Sequence, residues 1–244
     1  MKNIIWAGVL FLASCVSPKG TPVEEPEVMT NTTGKGQVVL LEFTRGEAYN
    51  HPSMVVWAED LEGNYLETLM VTRYVSAGVY AHGQLAPGKW DNKEGAARRP
   101  ATMPYWAHKR NEKAPDGLYI PSPRNPVPDA LTAATPVGSF RLRSHLSEKR
   151  ETRFRVLLEI NQAWDANKFW TNGKFPGDLD YFGSLQPSLV YAAIIDPSVA
   201  GEVVHLNPIG HGHPSGKDGR LYTDLTTLTT AREILHAVTV TLHP

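Results

Sequence analysis

The 244-residue sequence contains a single cysteine, Cys15. An intrachain disulfide is therefore impossible, and a zinc site built from several cysteines is excluded. The chain also lacks an excess of either charge, since 24 Lys and Arg residues oppose 25 Asp and Glu residues. Without a basic excess there is no field to hold nucleic acid through its phosphates, so we expect no nucleic-acid partner.

Long hydrophobic runs are missing as well, and none approaches the ~20 apolar residues of a membrane-spanning helix. What remains is ordinary for a globular domain, with 41% hydrophobic and 9% aromatic residues. Gly 20 and Pro 19 predict many turns and few long helices.

The N-terminus has the pattern of a bacterial lipoprotein signal. Lys2 supplies a positive charge, residues 4–12 form a short apolar stretch, and Leu12-Ala13-Ser14-Cys15 resembles a lipobox. An ordinary signal peptide or a buried core thiol is the alternative. We predict removal of residues 1–14, lipidation of Cys15, and a location in the cell envelope, on the periplasmic side or at the outer membrane.

Residues 15–36 predict a flexible tether, because they are rich in Pro, Glu, Thr and Gly and have no apolar period. Beyond them, residues 37–244 predict one mainly β domain, an antiparallel β-sandwich with long loops and one or two short helices. Eight β-rich runs carry this prediction: 37–43, 53–58, 65–72, 138–143, 153–161, 188–196, 202–206 and 235–242. Thr230 begins a capping-box pattern that predicts a helical turn before the last run.

Residues 73–128 form a long Gly- and Pro-broken region with nine basic and four acidic side chains and interleaved aromatic rings. Thr102 is a candidate cap for a short helix that has Pro104 in its first turn and residues 106–113 along it. Trp106, His108 and Arg110 are candidate ligand-binding residues for an anion, such as a phosphorylated ligand or a lipid head group. The alternative is a solvated charged flap whose aromatic residues cover one end of the sandwich.

A second aromatic-rich segment follows, where Trp164, Asp165 and Trp170 are candidate binding residues. Its rings fit either a stacking surface for a flavin or sugar or the cover of a core beneath a long loop. The acidic residues Asp165, Asp178 and Asp180 fit either calcium ligation or loop capping.

His211, His213 and Asp218 are weak candidates for a metal site. The glycines and proline around the two histidines predict a loop, in which the imidazoles bond to the backbone instead. No motif for an enzyme nucleophile is present, so we expect no catalytic residue.

Six segments together resemble the bacterial family called domain of unknown function 2271: residues 53–65, 104–108, 129–136, 159–165, 212–219 and 224–231. The resemblance implies an immunoglobulin-like β-sandwich and an exported protein, and it brings no established activity. Genes of that family tend to lie near flavin transferases and membrane proteins of flavin-linked electron transfer.

That resemblance, through its link to flavin transferases, favours a functional interpretation of one motif. Asp129, Thr132 and Thr135, with two alanines between the threonines, resemble the acceptor sequence of flavin transferases, in which FMN phosphate esterifies the last threonine. Pro136 and Gly138 depart from the usual pattern, and a turn capped by Asp129 is the alternative.

The sequence thus predicts a lipid-anchored, non-catalytic envelope protein that binds a ligand or a partner as an accessory to flavin-linked electron transfer. The alternative is a covalent FMN carrier modified at Thr135. The expected partners are the membrane, through the anchor, and a flavin transferase or membrane electron-transfer proteins.

Overall fold

The structure is a computed structural model that describes residues 25–127 and 135–244. Its strands are β1 (Glu27–Thr30), β2 (Val38–Arg45), β3 (Ser53–Glu59), β4 (Tyr65–Val71), β5 (Val79–Tyr80), β6 (Gln84–Ala86), β7 (Lys89–Trp90), β8 (Gly95–Ala96), β9 (Phe140–His145), β10 (Phe154–Asn161), β11 (Leu189–Ile195), β12 (Val203–His205), β13 (Asn207–His211) and β14 (Leu235–His243). The α-helices are α1 (Arg73–Ala77) and α2 (Pro104–Arg110), and three 3₁₀ turns cover Tyr181–Gly183, Pro197–Val199 and Thr230–Arg232.

Two five-stranded sheets form the body of the domain, in the orders β1-β9-β2-β14-β12 and β13-β11-β10-β3-β4. The predicted mainly β sandwich is therefore confirmed. Every pairing within these two sheets is antiparallel except that of β1 with β9, which is parallel. All eight predicted strands are present, with ends displaced by at most two residues.

The second sheet is covered on both faces. Along β3, Met54, Val56 and Ala58 pack into the core between the sheets, whereas Val55 and Trp57 pack into a second cluster on the outer face. This second cluster lies beneath residues 72–127, which include both α-helices. The basic region therefore covers a face of the sandwich, not one of its ends, and this explains the nearly continuous apolar run of β3.

The folded domain begins earlier than predicted. Residues 27–30 pair with β9, and the backbone N–H of Gly36 donates to the Leu146 carbonyl. The tether prediction over 15–36 is therefore wrong from Glu27 onward. None of the helices in the described ranges is long and apolar enough to cross a membrane.

The helical turn expected before the last strand is present at Thr230–Arg232. The prediction for α2 needs two corrections. Met103, not Thr102, precedes the helix and makes no side-chain cap, and the helix ends at Arg110, where Asn111 adopts a left-handed conformation with φ 58°.

Several long connections gather at one end of the sandwich. Strand pairing places the start of β3, the end of β10, the start of β11 and the end of β13 at the same level. The connections 46–52, 162–188 and 212–234 therefore lie together, and we call this the loop end. The opposite end carries the shorter connections 60–64, 146–153 and 196–202.

Candidate functional site

The connection between β10 and β11 exposes a set of large apolar side chains at the loop end. Their exposed fractions run from 38% to 48%, and we call the set the aromatic surface: Trp164, Phe169, Phe175, Leu179 and Phe182. Trp170 and Tyr181, from the same segment, are buried in the core. Trp170 and Tyr181 therefore cover the core, and a stacking role for the exposed rings stays a prediction.

Hydrogen bonds hold this connection in one shape. The side chain of Asn167 accepts bonds from the backbone N–H groups of Phe169 and Trp170 and donates to the Thr227 carbonyl. The Trp170 indole N–H donates to Thr227 Oγ1 at 3.1 Å. The exposed rings are thus displayed on an ordered loop, and several large apolar side chains exposed on one segment are typical of an interaction site.

Residues 72–127, which cover the outer face of the second sheet, form the third layer of the fold. Arg99 connects this third layer to the 162–188 loop. Its guanidinium carbon lies 4.5 Å from the ring centroid of Tyr80, 4.7 Å from Trp90 and 5.6 Å from Trp164. Arg99 is only 8% exposed, and one of its N–H groups donates to the His82 carbonyl. A cation enclosed by aromatic faces is stabilised by their quadrupoles, so Arg99 supports Trp164.

Other cations of the basic region are also engaged within the fold. Arg98 donates two hydrogen bonds to Asp116, Lys109 donates to the Gly63 carbonyl at 2.7 Å, and Arg110 contacts Glu112. Anion binding by Trp106, His108 and Arg110 stays a prediction. Trp106 is fully buried and donates to Thr68 Oγ1 at 3.0 Å.

Next to the aromatic surface lies a groove of about 710 Å³, lined by Pro87, Lys174, Phe175, Pro176, Leu179 and Lys217, among others. It shares Asp180 and Lys217 with a smaller cavity of about 160 Å³. That cavity lies between α2 and the 215–217 segment, and His108 and Tyr119 line it with their rings 4.2 Å apart. Together they form a concave site with an apolar wall and a few polar groups, which is the usual composition of a ligand pocket.

The predicted metal-binding residues are close in space, but each makes a hydrogen bond within the protein. His211 ends strand β13, contrary to the predicted loop, and its Nδ1 lies 2.7 Å from the Gly212 carbonyl oxygen. His213 Nδ1 accepts from the Ser215 N–H, and Asp218 accepts from the Tyr222 hydroxyl. Burial lowers the pKa of both histidines, which favours neutral imidazoles.

Within residues 25–127 and 135–244, no three or more His, Cys, Asp or Glu side chains are grouped to hold a metal ion. The acidic loop residues serve local structure instead: Asp178 pairs with Lys217 at 2.7 Å, and Asp165 accepts from Thr230. Burial raises the pKa of Asp165.

Sequence reasoning missed Glu159, which lies beneath α2 on the outer face of the second sheet. It is fully buried and accepts hydrogen bonds from Ser188 Oγ at 2.5 Å and from the backbone N–H groups of Trp106 and Tyr105 at 2.8 and 3.2 Å. Burial raises the pKa of the Glu159 carboxyl to about 7. The signal was available, since Glu159 interrupts the apolar run of β10.

The flavin-acceptor motif lies only partly within the described chain. Thr135 is half-buried, and its hydroxyl donates to the Pro52 carbonyl at 3.1 Å. Asp129, Thr132 and the lipidation candidate Cys15 lie outside the described residues.

No family model matches the chain, and neither the curated proteins nor the solved structures contain a match. The resemblance to domain of unknown function 2271 therefore stays a prediction from the quoted segments. The geometry of the site is the remaining guide to function.

Proposed function

We propose that the chain is an exported, lipid-anchored, non-catalytic binding protein of the bacterial cell envelope, and that it binds its partner at the loop end. The observation that carries the proposal is the aromatic surface, five large apolar side chains that are each more than a third exposed and belong to one connection that hydrogen bonds keep ordered. Aromatic anchors of this kind dominate the energetics of protein interfaces.

The polar groups beside the aromatic surface favour binding over catalysis. Nδ1 of His108 lies 2.8 Å from the Pro104 carbonyl oxygen, and His213 accepts from the backbone of Ser215. Lys217 is paired with Asp178. Bonds of this kind orient the rings and hold their loops in place, and the sequence supplies no nucleophile motif beside them.

The partner that fits the sequence is a membrane protein of flavin-linked electron transfer. This part of the proposal is supported by the signal pattern and by the resemblance of the 129–135 segment to flavin acceptors. Two or three acyl chains on Cys15 would keep the loop end close to such a partner.

Site-specific photo-crosslinking in intact cells tests the proposal. A photoreactive phenylalanine analogue replaces Phe175 or Phe182, and as a matched control it replaces Val203, which is 58% exposed on the edge strand β12. We expect a discrete adduct from positions 175 and 182, none from position 203, and flavin fluorescence in the captured protein. Equal labelling at all three positions, or none, would contradict the binding surface.

A covalent FMN carrier is the second candidate, favoured by the match of Thr135 to the acceptor pattern. Esterification would require the Thr135 hydroxyl to leave the Pro52 carbonyl. Coexpression with an active flavin transferase should add the mass of one FMN less one water, and Thr135→Ala should abolish the gain. An unmodified mass, with a control acceptor modified in the same cells, would eliminate this candidate.

A further inference from the structure

A cavity of about 500 Å³ lies at the end of the sandwich opposite the loop end. Five segments that are distant in sequence form its walls: residues 31–33 after β1, residues 65–68 of β4, Arg110 and Glu112 at the end of α2 and just after it, Val127, and Ser147 after β9. Neither the aromatic surface nor the groove beside it contributes to this cavity.

Hydroxyl groups dominate the cavity and are held in place. The Tyr65 hydroxyl and Thr68 Oγ1 are hydrogen-bonded at 2.8 Å, and the buried Trp106 indole fixes Thr68 from behind. Asn31 adopts a left-handed conformation with φ 45°, and its side-chain amide donates to the His145 carbonyl at 2.6 Å. Ser147 Oγ donates to Glu67 at 2.7 Å.

Arg110 lines this cavity and has a guanidinium N–H donor for which the described residues provide no acceptor. The residue is 9% exposed, its Nη2 contacts Glu112, and its Nη1 is buried with no hydrogen-bond partner among residues 25–127 and 135–244. A buried donor without an acceptor costs free energy, more so when it is charged. An oxygen of a bound ligand that reaches the guanidinium would remove that cost.

The charged side chains around the cavity are paired with opposite charges, and this favours a neutral ligand over an anion. Arg110 is paired with Glu112, and Glu67 contacts Arg150 at 3.5 Å. The cavity thus has no excess of positive charge to attract a phosphate. The ring of Tyr65, with Leu66 and Val127, supplies an apolar wall beside the hydroxyl groups.

We propose that this cavity binds a neutral polyhydroxylated ligand, a mono- or disaccharide, with Arg110 and the hydroxyl groups of Thr33, Tyr65 and Thr68 as its hydrogen-bonding partners. Sugar hydroxyls both donate and accept, as this mixed lining requires, and the apolar face of a sugar ring fits against Tyr65. The proposal does not depend on the lipid anchor or on the aromatic surface.

Titration calorimetry and protein-detected NMR on the full chain, in a detergent without a sugar head group, test the assignment. The probes are glucose, N-acetylglucosamine and their β-1,4 disaccharides, with inorganic phosphate as the anionic comparison. We expect one of the sugars to bind and Arg110→Met to weaken it by about tenfold or more, the loss expected for a charged hydrogen bond.

Thr33→Ala keeps the assignment testable if Arg110→Met unfolds the protein, because Thr33 is exposed and its change leaves the core intact. We expect weaker sugar binding from it as well. Arg141→Met is the matched control, since Arg141 lies half-exposed in the first sheet, and it should bind sugar normally. No sugar binding at millimolar concentration, binding unchanged in both variants, or binding of phosphate alone would overturn the proposal.

Discussion

Glu159 shows how one side chain can couple this fold to pH. Its carboxyl group is surrounded by protein and accepts hydrogen bonds from a hydroxyl and two backbone N–H groups, yet burial raises its pKa from 4.5 to about 7. The folded protein therefore favours the protonated acid more than the unfolded chain does. The resulting stabilisation is complete below pH 4.5 and is lost as pH rises through about 7.

We predict that Glu159→Gln removes this pH dependence. Between pH 4.5 and about 7.5, the free energy of unfolding of the wild-type protein should fall by about 3 kcal/mol relative to that of the variant. Urea unfolding at a series of pH values measures both curves. The lowered pKa values of His211 and His213 act in the opposite sense in both proteins, so the difference isolates Glu159.

Glu42→Gln is the control for this experiment, because Glu42 is half-exposed on the first sheet. Its curve should follow that of the wild-type protein. Parallel curves for the wild-type protein and Glu159→Gln would show that the Glu159 carboxyl ionises normally in the folded state.

At the scale of elements, the strands with strong local patterns were predictable, whereas the edge strands β1 and β13 were not. All eight β-rich runs became strands, because apolar alternation reports burial directly. Strand β1 is only four residues long and is fixed by a parallel partner more than 100 residues away, which leaves no local trace. Strand β13 contains Pro208, which sequence reasoning treats as a breaker but an edge strand tolerates.

The start of helix α2 is stabilised by a residue distant in sequence, whereas sequence reasoning expected a cap from an adjacent residue. Thr102 was the expected cap, but the free N–H groups of Tyr105 and Trp106 bond to Glu159 on β10. A carboxylate on another element meets the same demand for acceptors at a helix start. Similarly, the sequence could not separate exposed Phe175 and Phe182 from buried Tyr181, because all lie in one irregular connection.

The contact between the 212–219 segment and the third layer depends on glycine. A side chain at Gly216 would place its Cβ 2.3 Å from the Pro100 carbonyl group, and Gly216 has a left-handed φ of +69°. We predict that Gly216→Ala lowers the free energy of unfolding by about 3 kcal/mol or more, the sum of backbone strain and overpacking. Thermal or urea unfolding measures the change.

Gly201→Ala separates the two causes. Gly201 has a similar φ of +88° but nothing within 4 Å of the added Cβ, so that variant should lose only about 1 kcal/mol. Equal losses in the two variants would mean that the Pro100 contact relaxes freely and that the close packing of this segment is unimportant.

At the scale of the whole molecule, the two ends of the sandwich offer different chemistry. The loop end carries exposed aromatic residues, and the opposite end carries the hydroxyl-lined cavity with Arg110. The sequence predicted the sandwich itself but placed the basic region over an end. Only the structure shows that this region forms a third layer. Its residues pack against Val55 and Trp57, and such contacts between residues distant in sequence leave no local pattern.

The shortened tether gives the lipid anchor a specific consequence. Twelve peptide units separate Cys15 from Glu27, where β1 begins, and they can span at most about 43 Å. If Cys15 is lipidated, the sandwich stays within that distance of the bilayer. That distance would bring the start of β1 near enough to the bilayer for the proposed membrane partner to contact the sandwich.

We predict that Cys15→Ser releases the full chain from the membrane fraction, whereas the wild-type protein stays there after a high-salt wash. Two or three acyl chains bind stably, and electrostatic attachment would not survive the salt. Phe175→Ser with Phe182→Ser, in a chain that keeps Cys15, should remain with the membrane. A Cys15→Ser protein that still sediments with membranes, and is released only when the two phenylalanines are also changed, would place attachment in the aromatic surface. The prediction that lipidated Cys15 anchors the protein would then be wrong, and the aromatic surface would be a lipid-binding surface.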